Sequence, residues 1–290
     1  MRLKLLYNPA AGRGRARKYI GEAETCLLSM GAAVDVEASN SPAHLTALAA
    51  QASRAGYDRV VVCGGDGSLN LAVRELDLQQ GTLALLPLGS GDDFAHVLGI
   101  PQRLDRACDL IVKGKPREVD VALANGIRYL GVAGLGFDSE VAAYANENAG
   151  ILRGSHIYLY AILRILPRFL PHRVRLRLAE GTREEHIMFA VVGNSRQYGG
   201  GIRITPRAVI DDRILDLCIV HRTSRAQLLK TLPLAYTGMH VNSPFVETGR
   251  GVEFHFESDA PLEVYADGER LTRTPVSFTL AEEKLRIIAP

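Results

Sequence analysis

Residues Val60–Asn70 read Val-Val-Val-Cys-Gly-Gly-Asp-Gly-Ser-Leu-Asn, an apolar run that stops on two glycines and an acid. A short run of β-branched residues bounded by glycine is the pattern of a buried strand, and the glycines let the backbone turn sharply and come close to a ligand. If a helix starts there, the unpaired N–H groups of its first turn face the same spot and favour an anion. Asp66 sits inside the turn. A carboxylate beside a phosphate repels it unless a divalent cation lies between them, so the segment suggests a metal-bound nucleoside polyphosphate. The plainer alternative is a tight strand-to-helix turn with Asp66 as its N-cap.

The first 120 residues repeat the strand–helix alternation. Strand patterns at Leu3–Tyr7, Ala33–Glu37, Arg59–Val62 and Thr82–Leu86 are separated by helical spacing at Arg15–Met30, His44–Ala55 and Leu69–Glu75. This predicts a parallel α/β sheet, whose ligands gather at the carboxyl ends of its strands. Two further loops fall at such ends: Asn8-Pro9-Ala10-Ala11-Gly12-Arg13-Gly14, with a basic tip, and Pro87-Leu88-Gly89-Ser90-Gly91-Asp92-Asp93-Phe94-Ala95, which repeats the glycines, hydroxyl and acids at a helix start. From about Tyr129 the pattern changes to short β segments. They fall at Tyr129–Val132, Val174–Leu178, Ile187–Val192, Leu215–Val220, Gly251–Phe256, Leu262–Ala266, Val276–Leu280 and Leu285–Ile288, with helical interruptions near Ser139–Asn146, Ile157–Phe169 and Arg225–Thr237. A second, mainly antiparallel domain follows, with a compact boundary near Asp120–Asn125 and a cleft between the domains.

With 290 residues, 47% hydrophobic and 23% charged, the chain has room for two folded domains. A net charge of +2 argues against a general polyanion or nucleic-acid binder. Cys26, Cys63, Cys108 and Cys218 are scattered without CxxC spacing, so neither a zinc site nor a disulfide framework is indicated, and a reducing cytoplasm is the natural setting. No stretch of about twenty apolar residues and no signal-peptide pattern occurs, so neither secretion nor membrane spanning is expected.

Taken in order, NPAAGRG at Asn8–Gly14, GGDGSLN at Gly64–Asn70, PLGSGDDFA at Pro87–Ala95, GGGIRITPRAVIDDRILDL at Gly199–Leu217 and DGE at Asp267–Glu269 resemble the diacylglycerol-kinase-like lipid kinase family, in its soluble bacterial form. The resemblance covers nearly the whole chain. It implies an NAD-kinase-like three-layer α/β domain that binds ATP and Mg2+, a C-terminal β-sandwich domain, and transfer of the γ-phosphate to a lipid hydroxyl in the interdomain cleft. The first domain is then expected over residues 1–121, completed by about 283–290, and the second over 122–282. By the same resemblance Asn8, Gly64, Gly65, Asp66, Gly67, Ser68, Asn70, Gly89 and Ser90 are the nucleotide-binding residues. Asp66, Asp93 and Asp120 match a network of acids that holds the catalytic magnesium, and Glu269 matches the general base for the lipid hydroxyl. An alcohol is a poor nucleophile while protonated, which is why a carboxylate is needed there. The Asp267-Gly268 pair is also a strong hairpin-turn signal, and both roles are compatible.

Asp212, with the carbonyls of Val209 and Ile214, matches a second, structural magnesium site. The chain departs from the family pattern at several points: Arg213 stands where glycine is usual, Ser90 and Asp92 replace Thr and Asn, and Leu71 replaces Glu. A lipid acceptor requires contact with a membrane surface, and Ile151–Leu170, rich in large apolar residues and arginines and free of acids, is the candidate segment. The same segment is equally readable as a helix packed on the second domain. His240 follows a Gly-x-His pattern but reads as structural. The rival readings are an NAD-kinase-like enzyme, which shares Gly-Gly-Asp-Gly, and a non-catalytic nucleotide- or lipid-binding regulator. Oligomeric state has no signature in the sequence, and a homodimer stays open.

Overall fold

The computed structural model describes residues 1–148, 156–178 and 181–290, which divide into two compact units, Met1–Val121 with Glu282–Pro290, and Ala122–Ala281.

The first unit runs β1 (Arg2–Tyr7), α1 (Arg15–Ser29), β2 (Ala33–Ala38), α2 (Pro42–Arg54), β3 (Arg59–Gly64), α3 (Asp66–Arg74), β4 (Thr82–Pro87), α4 (Asp93–Leu98), α5 (Leu104–Lys113) and β5 (Lys115–Val119). The second unit contains β6 (Ala122–Ala124), β7 (Ile127–Tyr129), β8 (Val132–Gly136), α6 (Phe137–Glu147), α7 (His156–Ile165), β9 (His172–Leu178), β10 (Gly181–Gly193), β11 (Leu215–His221), α8 (Arg225–Ala235), β12 (Val246–Gly251), β13 (Phe254–Ser258), β14 (Glu263–Ala266), β15 (Glu269–Arg273) and β16 (Val276–Leu280). The chain then returns to the first unit as β17 (Leu285–Ala289).

In the first unit the strand order is β2-β1-β3-β4-β17-β5, parallel except for β5, which runs antiparallel to β17. Alternation on the strands sorts the core. Leu3, Leu5, Val61, Cys63, Ala84 and Leu86 pack with Ala16, Ala23 and Leu27 of α1 and with Ala107, Cys108 and Ile111 of α5. Residues between them on the same strands, such as Val60, Val62, Leu83 and Leu85, are buried as well, and α2 and α3 pack on β3. A sheet buried on both faces has to be apolar throughout, which is why β3 and β4 carry no polar alternation. α5 is a helix that the sequence reading passed over, although Leu104, Ala107, Cys108 and Ile111 have helical spacing.

In the second unit β15-β14-β8-β10-β9-β13-β16-β6-β7 form one connected path, with β11 and β12 branching from β10. One side of β8, β10 and β11 gives Ala133, Leu135, Ala190, Val192, Leu215, Leu217 and Ile219 to the interior with Phe254, Phe256 and Phe278. The other side gives Val132, Phe189, Val191, Cys218 and Val220, covered by Val141 of α6, Ala161 of α7 and Leu228 of α8.

Two expected strands are corrected. Tyr129–Val132 is not one strand, because Leu130-Gly131 turns between β7 and β8. Gly251–Phe256 is broken at Val252-Glu253, where Val252 is exposed and cannot be held by a core face.

Candidate active site

Three loops leave the carboxyl ends of the neighbouring strands β1, β3 and β4, and they interlock. Leu88 N–H donates to Gly64 O at 3.0 Å, and Arg15 Nη1 donates to Gly89 O at 2.8 Å. Gly12 has φ +57°, and a Cβ there would lie 1.9 Å from Leu88 O, so only glycine lets the first loop close on the third. Gly65 and Gly89 meet backbone to backbone: a Cβ on Gly89 would stand 2.4 Å from Gly65 Cα. Asn8 Oδ1 accepts from Ala10 N–H at 2.9 Å, an Asx turn that shapes the first loop rather than a free side chain.

α3 begins at Asp66 with Gly65 as N-cap, and glycine supplies no capping side chain. Ser68 and Asn70 are buried on α3, and Ser90 is exposed at the tip of the third loop. The alternative in which Asp66 caps its own helix is overturned. Its carboxylate reaches across to the third loop, where Oδ2 accepts from Asp93 N–H at 3.0 Å and Oδ1 from Phe94 N–H at 2.9 Å. It thereby caps α4, whose own N-cap, Asp92, makes no side-chain cap. A carboxylate has about four lone-pair sites, and three backbone donors leave room for a cation or a water. Burial pushes the Asp66 carboxyl up, and the neighbouring Asp93 pushes the same way, while the backbone donors pull it down.

Asp92 has φ +52°, and its Oδ1 accepts from Gly89 N–H at 2.9 Å. Burial, and then the charge of Asp66, raise its carboxyl to about 6. Asp93 is buried beside it. Asp120 is fully buried, and its carboxylate meets Lys284 Nζ at 3.2 Å. Lys284 stands just before β17 and was missed by the sequence reading, because no local motif surrounds it.

Glu269 is half-buried and opens β15 directly after a two-residue turn, with Asp267 at φ +47° and Gly268 at φ +87° and Ala266 paired to Glu269. Two successive positive φ values define the turn that Asp-Gly prefers. The Asp267 carboxylate accepts from Gly131 N–H at 3.0 Å and Val132 N–H at 3.1 Å, and a Cβ on Gly131 would lie 2.1 Å from Asp267 Oδ1. Asn146 of α6 donates to Gly268 O at 2.5 Å. The turn is thus fixed from two sides, and Asn146 is a second residue that sequence reasoning missed, 122 positions away.

The expected structural magnesium ligands do not fit a metal. Asp212 Oδ1 accepts from Ile214 N–H at 3.1 Å, and Oδ2 lies 2.5 Å from Arg250 Nη2, so the carboxylate already faces a cation. Arg213 has φ +62° and donates to Ala281 O at 2.8 Å. His240 is buried with Nε2 3.0 Å from Ile204 O, a packing role, and burial lowers its pKa. Of the membrane-facing candidate segment, residues 151–155, Arg153 among them, lie outside the described residues. On the rest, Ile157, Ala161, Leu166 and Phe169 are buried, whereas Leu159, Leu163 and Leu170 are 54%, 55% and 72% exposed. The buried residues bear out the reading of a helix packed on the second unit, and the exposed leucines lie outside that packing. Among the described residues no helix is long and apolar enough to cross a membrane.

Within the first unit, a glycine-walled set of loops at the ends of parallel strands, with acids gathered near the first turn of α3, has the chemistry of a phosphate site. Comparison with known proteins narrows the class. Residues 2–124 match the diacylglycerol kinase catalytic domain, and residues 131–289 match the YegS C-terminal NAD kinase beta sandwich-like domain. The chain is 35% identical to a diacylglycerol kinase of Mycobacterium tuberculosis, covering 98% of this chain and 94% of that one. It is 24% identical to a diacylglycerol kinase of Bacillus subtilis, covering 100% and 96%. A crystal structure of a diacylglycerol kinase from Bacillus anthracis superposes with a TM-score of 0.80 at 25% identity, covering 100% of this chain and 97% of that one. The chain belongs to the diacylglycerol-kinase-like lipid kinase family. It is a lipid kinase, a phosphotransferase with an alcohol group as acceptor and a nucleotide as donor.

Proposed function

We propose that this kinase transfers the γ-phosphate of ATP to a hydroxyl of diacylglycerol or a closely related lipid. The observation that carries the nucleotide half is the uncapped start of α3, closed in by Gly12, Gly65 and Gly89. Its N–H groups would receive the phosphates, with Gly64, Gly67, Ser68, Asn70 and the exposed Ser90 lining the approach and Arg13 and Arg15 lending positive charge from the first loop. Asp66 and Asp93, with Asp120, would hold the magnesium that arrives with ATP, whose charge neutralises the transferred phosphoryl group. Lys284 then acts through Asp120 as a positioning residue. Glu269 takes the proton from the lipid hydroxyl, and the Asp267 and Asn146 contacts keep its carboxylate in one place while it does so. The name carried by the M. tuberculosis and B. subtilis relatives supports diacylglycerol as the acceptor.

The protein works at a membrane surface in this reading. Leu159 and Leu163, one turn apart on α7, are exposed, as is Leu170 beyond the helix, and Arg164 and Arg168 lie in the same stretch of sequence, chemistry suited to an anionic interface. A kinase with this acceptor works from the cytoplasmic side, where ATP is held. Labelled ATP offered with diacylglycerol, phosphatidylglycerol, sphingosine, a polyprenol and NAD tests the acceptor. Diacylglycerol labelled fastest is expected, and labelling of NAD alone refutes the proposal.

A further inference from the structure

The segment from Ala208 to Asp216, which ends in β11, carries three aspartates, and for two of them, Asp212 and Asp216, the fold supplies a cation from its own chain. Asp216 lies on β11 directly opposite Arg250 on β12, a cross-strand pair in register. Arg250 Nε reaches Asp216 Oδ2 at 3.4 Å and its Nη2 reaches Asp212 Oδ2 at 2.5 Å, so one guanidinium spans both carboxylates. The Asp216 side chain is only 7% exposed; burial raises its carboxyl, and Arg250, with a smaller pull from Arg207, counters that. In return Asp216 holds the Arg250 guanidinium above its ordinary range.

A magnesium ion asks for six oxygens at about 2.0–2.1 Å in octahedral array. Here the Asp212 Oδ1 already accepts from the Ile214 N–H, and Oδ2 already faces an arginine. A dication would also sit within a few ångströms of Arg250, with Arg207 close by, and like charges there repel it. Arg213 fits the same picture. It stands where the family resemblance leads one to expect glycine, adopts the left-handed conformation that glycine would take, and ties the loop to Ala281 O, the last residue of the second unit.

We propose that Arg250 is the built-in cation of this loop and that the segment is held in place without a divalent metal. The forked guanidinium is suited to this, since it can bond two carboxylates at once and is never deprotonated. The inference does not depend on the catalytic reading, because it concerns only residues of the second unit.

Two measurements test it without nucleotide or lipid. Mn2+ binding followed by electron paramagnetic resonance compares wild type with Asp212→Asn, and thermal unfolding in excess EDTA compares wild type with Arg250→Met and Arg250→Lys. The expected results are equal Mn2+ stoichiometry in wild type and Asp212→Asn, and a melting temperature lowered by roughly 5 °C in Arg250→Met, with a smaller loss in Arg250→Lys. Loss of one Mn2+ equivalent in Asp212→Asn overturns the proposal, as does an Arg250→Met protein that melts like wild type. If Arg250→Met does not fold, the Asp212→Asn comparison decides alone.

Discussion

Gly89→Ala separates the fit of the loops from the flexibility of glycine. Gly89 does not need a left-handed conformation, so the substitution adds only a methyl group, and that methyl would stand 2.4 Å from Gly65 Cα and 2.5 Å from Asp92 Oδ1. Ordinary contact begins at 3.4 Å, so the methyl overlaps the Gly65 backbone by about 1 Å, and that backbone, unlike the Asp92 carboxylate, cannot turn aside. Overpacking of this kind costs about 1–3 kcal/mol. The larger effect falls on turnover, because parting the second and third loops by about 1 Å misaligns the phosphate-facing N–H groups, and a shift of that size costs roughly 100-fold in rate. Gly31→Ala is the control: φ is +84° with no atom within 4 Å of the added carbon, so it pays only the conformational cost of about 1 kcal/mol and keeps full activity. Urea unfolding of both variants, with ATP affinity and steady-state turnover on mixed micelles, gives the comparison. If Gly89→Ala turns over within about threefold of wild type, or if Gly31→Ala loses as much activity, the loops are not a fitted phosphate cradle.

Glu269→Gln is expected to lower kcat by roughly 100-fold while leaving ATP affinity unchanged, and equilibrium nucleotide binding beside turnover checks the split. Lys284→Met strips the buried Asp120 carboxylate of its cation and destabilises the first unit by on the order of 3 kcal/mol; adding Asp120→Asn returns part of it, as chemical unfolding will show if the pair is real. Asp92 gives a pH signature. Its folded carboxyl is raised to about 6, so its share of stability is full below about pH 4 and is lost as pH rises through 6. Without nucleotide or magnesium, Asp92→Asn should remove that slope and gain about 3 kcal/mol at neutral pH; equal slopes in both proteins would refute the assignment.

The parts of the fold that sequence makes legible are those where local chemistry is decisive. β3 reads as a buried strand because Val60 to Cys63 are apolar without interruption, and the Asp267-Gly268 turn reads as a hairpin because that pair tolerates two positive φ values. The glycines of the loops were read as room for a ligand, and the structure gives Gly65 and Gly89 a second use, the close approach of one loop backbone to another. What stayed hidden was pairing between distant positions. Nothing around Lys284 announces Asp120, nothing around Asn146 announces Gly268, and Arg250 lies in an ordinary strand pattern until β12 is laid beside β11. Arg213 was legible as a departure, but its meaning was not. Only the guanidinium on Asp212 shows why an arginine there is tolerated.

β17 has a consequence for the order of assembly. It lies between β4 and β5, so β5 has no partner in the sheet until residues 285–289 arrive. A chain leaving the ribosome N-terminus first has made all of β1 to β4 long before that strand exists, and it must hold an open sheet edge while the entire second unit is synthesised. β4 is left as a long apolar edge during that interval, the kind of surface that recruits foreign strands. The sheet of the first unit is therefore closed only after the second unit has been synthesised.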